Sequence, residues 1–83
     1  MKILYFAWLR SKVGIAEETL ELPENVTTLY QLIAHLKNRG GGYEEIFSDM
    51  QVVRIAVDQE YVTDDVPITG AGEIAFFPPV TGG

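Results

Sequence analysis

The segment TLYQLIAHLK, residues 28–37, is the clearest helical pattern in this sequence of 83 residues, and the fold is argued outward from it. Its apolar residues recur with the spacing i, i+3, i+4 and i+7, which places them in one stripe along a helix; they are Leu29, Leu32, Ile33 and Leu36. Thr28 and Gln31 have the spacing of a capping box, and the three glycines 40–42 favour a helix end. The pattern therefore predicts one main helix from Thr28 to about Lys37.

The segments on either side of this helix read as strands. Apolar, β-branched or alternating runs occupy residues 3–9, 17–22, 52–57, 60–62 and 73–77. The first run, ILYFAWL, is apolar in both alternation phases, which predicts a central strand or one covered on its second face. We expect the first two runs to pair as a hairpin and residues 58–59 to form a tight turn. A short helical turn is also possible around residues 43–47. The fold class is therefore α+β, a mixed sheet of four to five strands with the main helix on one face.

Composition and charge exclude several classes of function. The chain contains no cysteine, which excludes disulfides, zinc–cysteine sites and a thiol nucleophile. Its formal net charge of −6 disfavours binding to nucleic acids or anionic membranes and suits a partner with a basic face. The apolar start, residues 1–9, is too short to span a bilayer and lacks a signal-peptide cleavage pattern. We expect one domain in the cytoplasm.

The internal polar residues give no catalytic pattern. His35 is the only histidine, lies off the helical stripe, and is expected to be largely exposed to solvent. The glycines 40–42 follow a helix, whereas a phosphate-binding loop follows a strand and precedes a helix, so they predict helix termination and a loop. The adjacent acids Asp64 and Asp65 point to opposite sides of an extended chain and are read as solvated surface.

The most informative segment is FFPPVTGG, residues 76–83. Two prolines cannot donate hydrogen bonds to a sheet, so the chain must leave the sheet at Pro78. Gly82 and Gly83 carry no side chains, and six extended residues reach about 20 Å. We expect a domain over residues 1–77 and an extended, flexible arm over residues 78–83 that can enter a narrow channel in another protein. A frayed tail without function is the alternative.

Four stretches together resemble the small-subunit family of molybdopterin synthase, whose members are ubiquitin-like sulfur carriers of the β-grasp fold. They are residues 3–10, the capped helix from Thr28, residues 57–62 and the ending 76–83. The Gly-Gly ending is shared with ubiquitin and with the sulfur carrier of the thiamine pathway, whereas FFPPV resembles the molybdopterin branch. The chain departs from the family pattern at Asp58, where asparagine is usual, and at residues 71–73, where the usual turn is Gly-Asp-Glu.

The resemblance implies a role for each residue of the arm. Gly83 would be the reactive residue: its carboxylate is adenylated, becomes a thiocarboxylate and donates sulfur to cyclic pyranopterin monophosphate to form the molybdopterin dithiolene. The partner-binding residues would be Phe76, Pro78, Pro79, Val80, Thr81 and Gly82. The apolar surface at Phe6 and Phe76 could equally be ordinary core.

The resemblance also implies partners. They are a large subunit that contains the active site and forms a heterotetramer with this chain, an adenylyltransferase related to ubiquitin-activating enzymes, and a sulfur-donor protein. The chain alone would bind no cofactor or metal and would not be catalytic, and ATP would be used by the activating partner. Three alternatives stay open: a protein modifier conjugated through Gly83, a sulfur carrier of the thiamine pathway, and a plain β-grasp interaction module.

Overall fold

The computed structural model describes residues 1–79, and in these residues five strands form one mixed sheet. The strands are β1 (Lys2–Tyr5), β2 (Glu17–Thr19), β3 (Arg54–Val57), β4 (Glu60–Val62) and β5 (Glu73–Phe77). The helices are α1 (Ala7–Val13), α2 (Leu29–Lys37) and α3 (Gly41–Ile46), and a 3₁₀ turn covers Met50–Val52. The predicted α+β class is confirmed.

The strand order is β2-β1-β5-β3-β4, so the last strand in the chain lies at the centre of the sheet. Strand β5 runs parallel to β1, with Ile3 opposite Ile74, and antiparallel to β3, with Ala56 opposite Ala75. The predicted pairing of the first two strands is also present, because β1 and β2 are antiparallel neighbours. Together with the helix on one face, this is the β-grasp arrangement that the resemblance implied.

Helix α2 covers one face of the sheet and confirms the prediction made from its apolar stripe. Its buried residues are Leu29, Leu32, Ile33 and Leu36. The Thr28 hydroxyl accepts a hydrogen bond from the Gln31 backbone N–H at 3.3 Å, and the Gln31 side chain accepts one from the Thr28 N–H at 3.1 Å. This reciprocal capping box satisfies two backbone donors that a helix start leaves without partners.

The prediction of a continuous first strand over residues 3–9 is wrong beyond Tyr5. The Phe6 N–H still donates to the Phe76 carbonyl at 3.1 Å, but the backbone then turns at Ala7, whose φ is +55°, and helix α1 begins. Leu9 is fully buried by this helix. The run was apolar in both alternation phases because it belongs to two elements with different periods, not to one strand covered on both faces.

Two other strands are shorter than predicted. Strand β2 ends at Thr19 and not at Leu22, and β3 begins at Arg54 because Met50–Val52 form a 3₁₀ turn. The Asp49 side chain starts that turn by accepting a hydrogen bond from the Gln51 N–H at 3.0 Å. The tight turn after β3 is present, with positive φ at both Asp58 and Gln59.

Helix α2 ends at Lys37, before the glycines 40–42, which confirms the predicted helix end. The predicted loop at these glycines is wrong, because Gly41 and Gly42 are the first residues of α3. Gly40 has a φ of +78°, and α3 starts directly after it in the region where a helical turn was considered. Gly42 allows α3 to lie against α1, because a Cβ at this position would overlap the Lys12 carbonyl oxygen.

Candidate functional site

The chain leaves the sheet from its central strand. Strand β5 ends at Phe77, and Pro78 and Pro79 follow outside the strand and half-buried, which confirms the prediction that the prolines end it. Since β5 is held by β1 on one side and β3 on the other, the start of the C-terminal segment is fixed to the most strongly paired part of the sheet. The predicted site residues Val80, Thr81, Gly82 and Gly83, and with them most of the predicted arm, lie outside the described residues.

The two phenylalanines before the prolines point to opposite faces of the sheet, as alternation requires. Phe76 is fully buried beneath the helices. Its ring centroid lies 5.0 Å from that of Phe47 and 6.0 Å from that of Tyr5. The assignment of Phe76 as a partner-binding residue is therefore corrected: its side chain fills the core of this chain and has no surface to offer.

Phe77 lies on the face of the sheet opposite to α2, which we call the open sheet face. One row of residues crosses this face in register, and these residues are Leu4, Ala75, Ala56 and Tyr61. The Tyr61 ring packs edge-on against Phe77 at a centroid distance of 5.4 Å and is 59% exposed. Phe6, at the end of β1, is 48% exposed.

A shallow groove of about 500 Å³ runs over this face to the point where the chain exits. Phe6, Phe77, Pro78 and Pro79 are among its lining residues. An exposed apolar patch of this kind on a small domain commonly marks a surface for a protein partner. The described part of the predicted arm, Pro78 and Pro79, thus lies against this apolar groove and forms part of its lining.

Nearly the whole chain, including the segment after Pro79, matches a known family. The model of the ThiS family matches residues 3–83. The chain belongs to the ThiS family. The described fold agrees with this assignment, because a Pyrococcus furiosus structure described as molybdopterin converting factor, subunit 1, superposes with a TM-score of 0.68 at 30% identity and covers 95% of each chain.

Three relatives of this ThiS family chain carry the same name, molybdopterin synthase sulfur carrier subunit. The protein from Dictyostelium discoideum is 38% identical over 84 residues, which cover 99% of this chain and 94% of that protein. The protein from Escherichia coli is 35% identical over 100% of this chain and 99% of its own length. The human protein is 34% identical over 100% of this chain and 93% of its own length.

Sequence reasoning missed two parts of this surface. Phe77 and Tyr61 were not among the predicted site residues, although the alternation in β5, with Phe76 inward, places Phe77 outward. Tyr61 could have been found from the 58–59 turn, because a two-residue hairpin fixes which residue of β4 lies opposite Ala56.

The other polar residues considered from the sequence have structural surroundings. His35 on α2 is half-buried, so its side chain is less exposed to solvent than the sequence predicts. The Asp65 carboxylate accepts a hydrogen bond from the Tyr30 N–H at 2.8 Å, in the first turn of α2.

Within residues 1–79 no cluster of histidine and acidic side chains could hold a metal ion, and no helix is long and apolar enough to cross a membrane.

A polar cluster that the sequence did not reveal joins β1, β2 and α3. The Glu18 carboxylate accepts hydrogen bonds from the Tyr5 hydroxyl at 2.9 Å, the Tyr43 hydroxyl at 3.1 Å and the Arg39 guanidinium at 2.8 Å. Burial alone would raise the pKa of Glu18, but the hydrogen bonds from Arg39 and Tyr5 outweigh it and lower that pKa. Burial and the bond to Glu18 raise the pKa of the Tyr5 hydroxyl, so Tyr5 stays neutral. We assign this cluster to stability, since it is not among the residues that line the groove at Pro78.

Proposed function

We propose that this chain is the sulfur carrier subunit of molybdopterin synthase and that it carries sulfur on the α-carboxyl of Gly83. The observation that supports the proposal best is full-length similarity to relatives of that name, with the family match extending through the FFPPVTGG segment to residue 83. The open sheet face beside Pro78 and Pro79 supports it independently, because a carrier needs a surface on which its partners can dock.

The chemistry starts from an unreactive group. An α-carboxyl with a pKa of about 3.5 is a carboxylate at neutral pH and resists nucleophilic attack. An adenylyltransferase would therefore join the Gly83 carboxylate to AMP from ATP, with release of pyrophosphate. The outer sulfur of a persulfide on the donor protein then attacks the acyl carbon, and AMP leaves with the electron pair of the broken C–O bond. A thiol next cleaves the S–S bond of the resulting acyl disulfide, which releases the donor as a disulfide and leaves Gly83 as a thiocarboxylate. This chain supplies the carboxyl and its placement, and the ATP is bound by the activating partner.

The thiocarboxylate is the sulfur donor for the next step. In the active site of the large subunit, its sulfur attacks cyclic pyranopterin monophosphate and forms a thioester between that substrate and Gly83. Water then cleaves the bond between the sulfur and the Gly83 carbonyl carbon, which restores the carboxylate, and two such transfers complete the dithiolene of molybdopterin. The absence of side chains at Gly82 and Gly83 suits a tip that two different active sites must accept. We propose that the large subunit contacts the open sheet face, with Phe6 and Phe77 beside the arm, in a cytoplasmic heterotetramer of two large and two small subunits.

Intact-mass spectrometry tests the proposal directly. The chain is produced with its adenylyltransferase and sulfur donor, and the mass of the whole protein is measured with and without ATP. We expect a gain equal to the mass difference between sulfur and oxygen, only when ATP is present. The thiocarboxylated protein, mixed with the large subunit and cyclic pyranopterin monophosphate, should then yield molybdopterin.

Deletion of Gly83 and a control substitution distinguish the alternatives. The deletion should abolish the mass gain and product formation, while Gly72→Ala, which changes a glycine directly before β5, should retain both. Product formation by the deletion variant would refute the proposal. Gly83 remnants on lysines of other proteins would instead indicate a protein modifier, and sulfur delivery to thiazole synthesis without binding to the large subunit would indicate the thiamine pathway.

A further inference from the structure

A second groove lies on the opposite side of the sheet from the open sheet face. This helix-side groove, of about 470 Å³, runs between α2 and the strands β3 and β4. Its apolar lining includes Leu29, Ile33, Val53, Ile55 and Val62. Among residues 1–79 it shares no lining residue with the groove at Pro78 and Pro79, so the described lining of each groove is free when the other is occupied.

Large apolar side chains at its rim are exposed to solvent. Tyr30 is 52% exposed and Met50 is 38% exposed, and both line the groove. Val52, next to this rim in the 3₁₀ turn, is 37% exposed. Methionine and tyrosine at a concave surface are well suited to packing against a partner, because one is adaptable in shape and the other combines a large ring with a hydroxyl.

The charge around the helix-side groove is negative. Asp64 lines the groove, and Glu60 projects to the same side of β4 as the lining residue Val62, two positions away. Neither carboxylate forms an ion pair within the described residues. Among the described lining residues the cationic one is Arg54, whose guanidinium donates to the Gln51 carbonyl at 2.9 Å and is thereby held against the backbone. A complementary partner presents apolar side chains flanked by lysine or arginine.

The helix-side groove opens near the point where the chain leaves the sheet. Arg54, which lines the groove, is the register partner of Phe77, the last residue of β5. The six residues from Pro78 to Gly83 can span at most about 20 Å. A protein in this groove therefore sits within a few nanometres of the tip without covering the open sheet face.

We propose that the helix-side groove docks the sulfur-donor protein, through a basic segment with apolar anchors, while the adenylated tip is held by the adenylyltransferase. This inference rests on the proposed function. The adenylyltransferase and the large subunit must each take up the tip, and the open sheet face is continuous with the arm that enters them. The donor has to reach the same carbon before the tip is released, so it needs a surface that those partners leave free.

The test compares two double variants with the same change in net charge. Glu60→Lys with Asp64→Lys reverses the rim of the groove, and Glu21→Lys with Glu24→Lys reverses two exposed acids that line neither groove. In a mixture of purified adenylyltransferase, sulfur donor and ATP, we expect the rim variant to form thiocarboxylate about tenfold more slowly, equivalent to about 1.4 kcal/mol. Its adenylation, measured as pyrophosphate release, should match that of the wild type. The Glu21 and Glu24 variant should match the wild type in both steps.

An NMR titration tests the docking site on the wild-type chain, without any substitution. In an NMR titration of ¹⁵N-labelled chain with the purified sulfur donor, we expect shifts at Tyr30, Ile33 and Thr63 and none at Phe6 or Phe77. Shifts confined to the open sheet face, or equal sulfur-transfer rates for both double variants, would overturn the docking proposal alone. A wild-type chain that is never adenylated or never gains sulfur would instead refute the proposed function.

Discussion

At the scale of single residues, the Glu18 carboxylate makes the clearest electrostatic contribution to stability. Its pKa is lowered from the ordinary 4.5 by Arg39 and Tyr5, so the folded state favours the charged form. A lowered pKa stabilises the fold above about pH 4.5, and this stabilisation is lost as the pH falls through the folded-state pKa. We expect Glu18→Gln to lower the free energy of unfolding by about 1–3 kcal/mol at neutral pH, as for hydrogen bonds to a charged group. Urea unfolding at neutral pH and at about pH 3 should show that difference shrink in acid.

The neighbouring residue Glu17 is the matched control. Its ion pair with Lys2, at 3.1 Å, is more than half exposed on both side chains. Exposed pairs of this kind contribute little, so Glu17→Gln should change stability by less than about 1 kcal/mol at either pH. If the Glu18 difference stayed constant across the pH range, the ion pair would not be its cause.

A glycine gives the sharpest steric prediction at this scale. In Gly42→Ala the new methyl group overlaps the Lys12 carbonyl, and α1 and α3 must move apart. We expect a loss of about 1–3 kcal/mol, typical of overpacking, by thermal or urea unfolding. In Gly72→Ala the Cβ meets only Asp58 Oδ1 at the ordinary contact distance of 3.5 Å, so stability should be nearly unchanged. Equal stability of the two variants would mean that α3 can shift freely.

At the scale of elements, the turn between β3 and β4 ties this hairpin to the start of β5. The Asp58 carboxylate accepts hydrogen bonds from the backbone N–H groups of Gly72 and Glu73, each at 2.9 Å. Asp58 also has a φ of +48°, which asparagine and aspartate tolerate better than alanine. Asp58→Ala should cost about 1–3 kcal/mol, and Asp58→Asn should retain most stability because its amide oxygen accepts the same bonds. Urea unfolding checks this, and equal losses in both variants would assign the effect to charge.

The helices and strands also show which parts of the fold could be predicted from the sequence. The helix from Thr28, the 58–59 turn and the end of β5 at Phe77 were predictable, because each has a local signal of period, turn or proline. The boundary after Tyr5 was not, because the turn at Ala7 has no glycine to mark it and residues on both sides are apolar. The burial of Phe76 under α2 and the position of Phe77 on the open sheet face depended on which face α2 covers, which is set by tertiary packing.

At the scale of the whole molecule, the sheet separates stability from recognition. The side under α2 contains Phe76, Phe47 and Tyr5 in ring contact, and the other side presents the exposed Phe6 and the half-buried Phe77 beside the exit of the chain. A third region, the helix-side groove with Tyr30, lies on the other side of the sheet from Phe6. Substitutions in these three regions should therefore have different consequences for folding and for binding to the large subunit.

Three single substitutions test this separation. Phe76→Ala should lower the free energy of unfolding by about 3–5 kcal/mol, since it empties a fully buried ring position.

Phe6→Ser should change stability by no more than about 0.5–1 kcal/mol. It should weaken binding to the large subunit by about 30-fold, as for loss of an interface anchor of about 2 kcal/mol. Tyr30→Ser removes a ring of similar exposure, 52% against 48%, from the other side and should leave that affinity unchanged. Calorimetric titration of each folded variant with the large subunit measures the affinities. Equal affinities for Phe6→Ser and Tyr30→Ser would mean that the open sheet face does not bind the large subunit, and the arm alone would have to account for the complex.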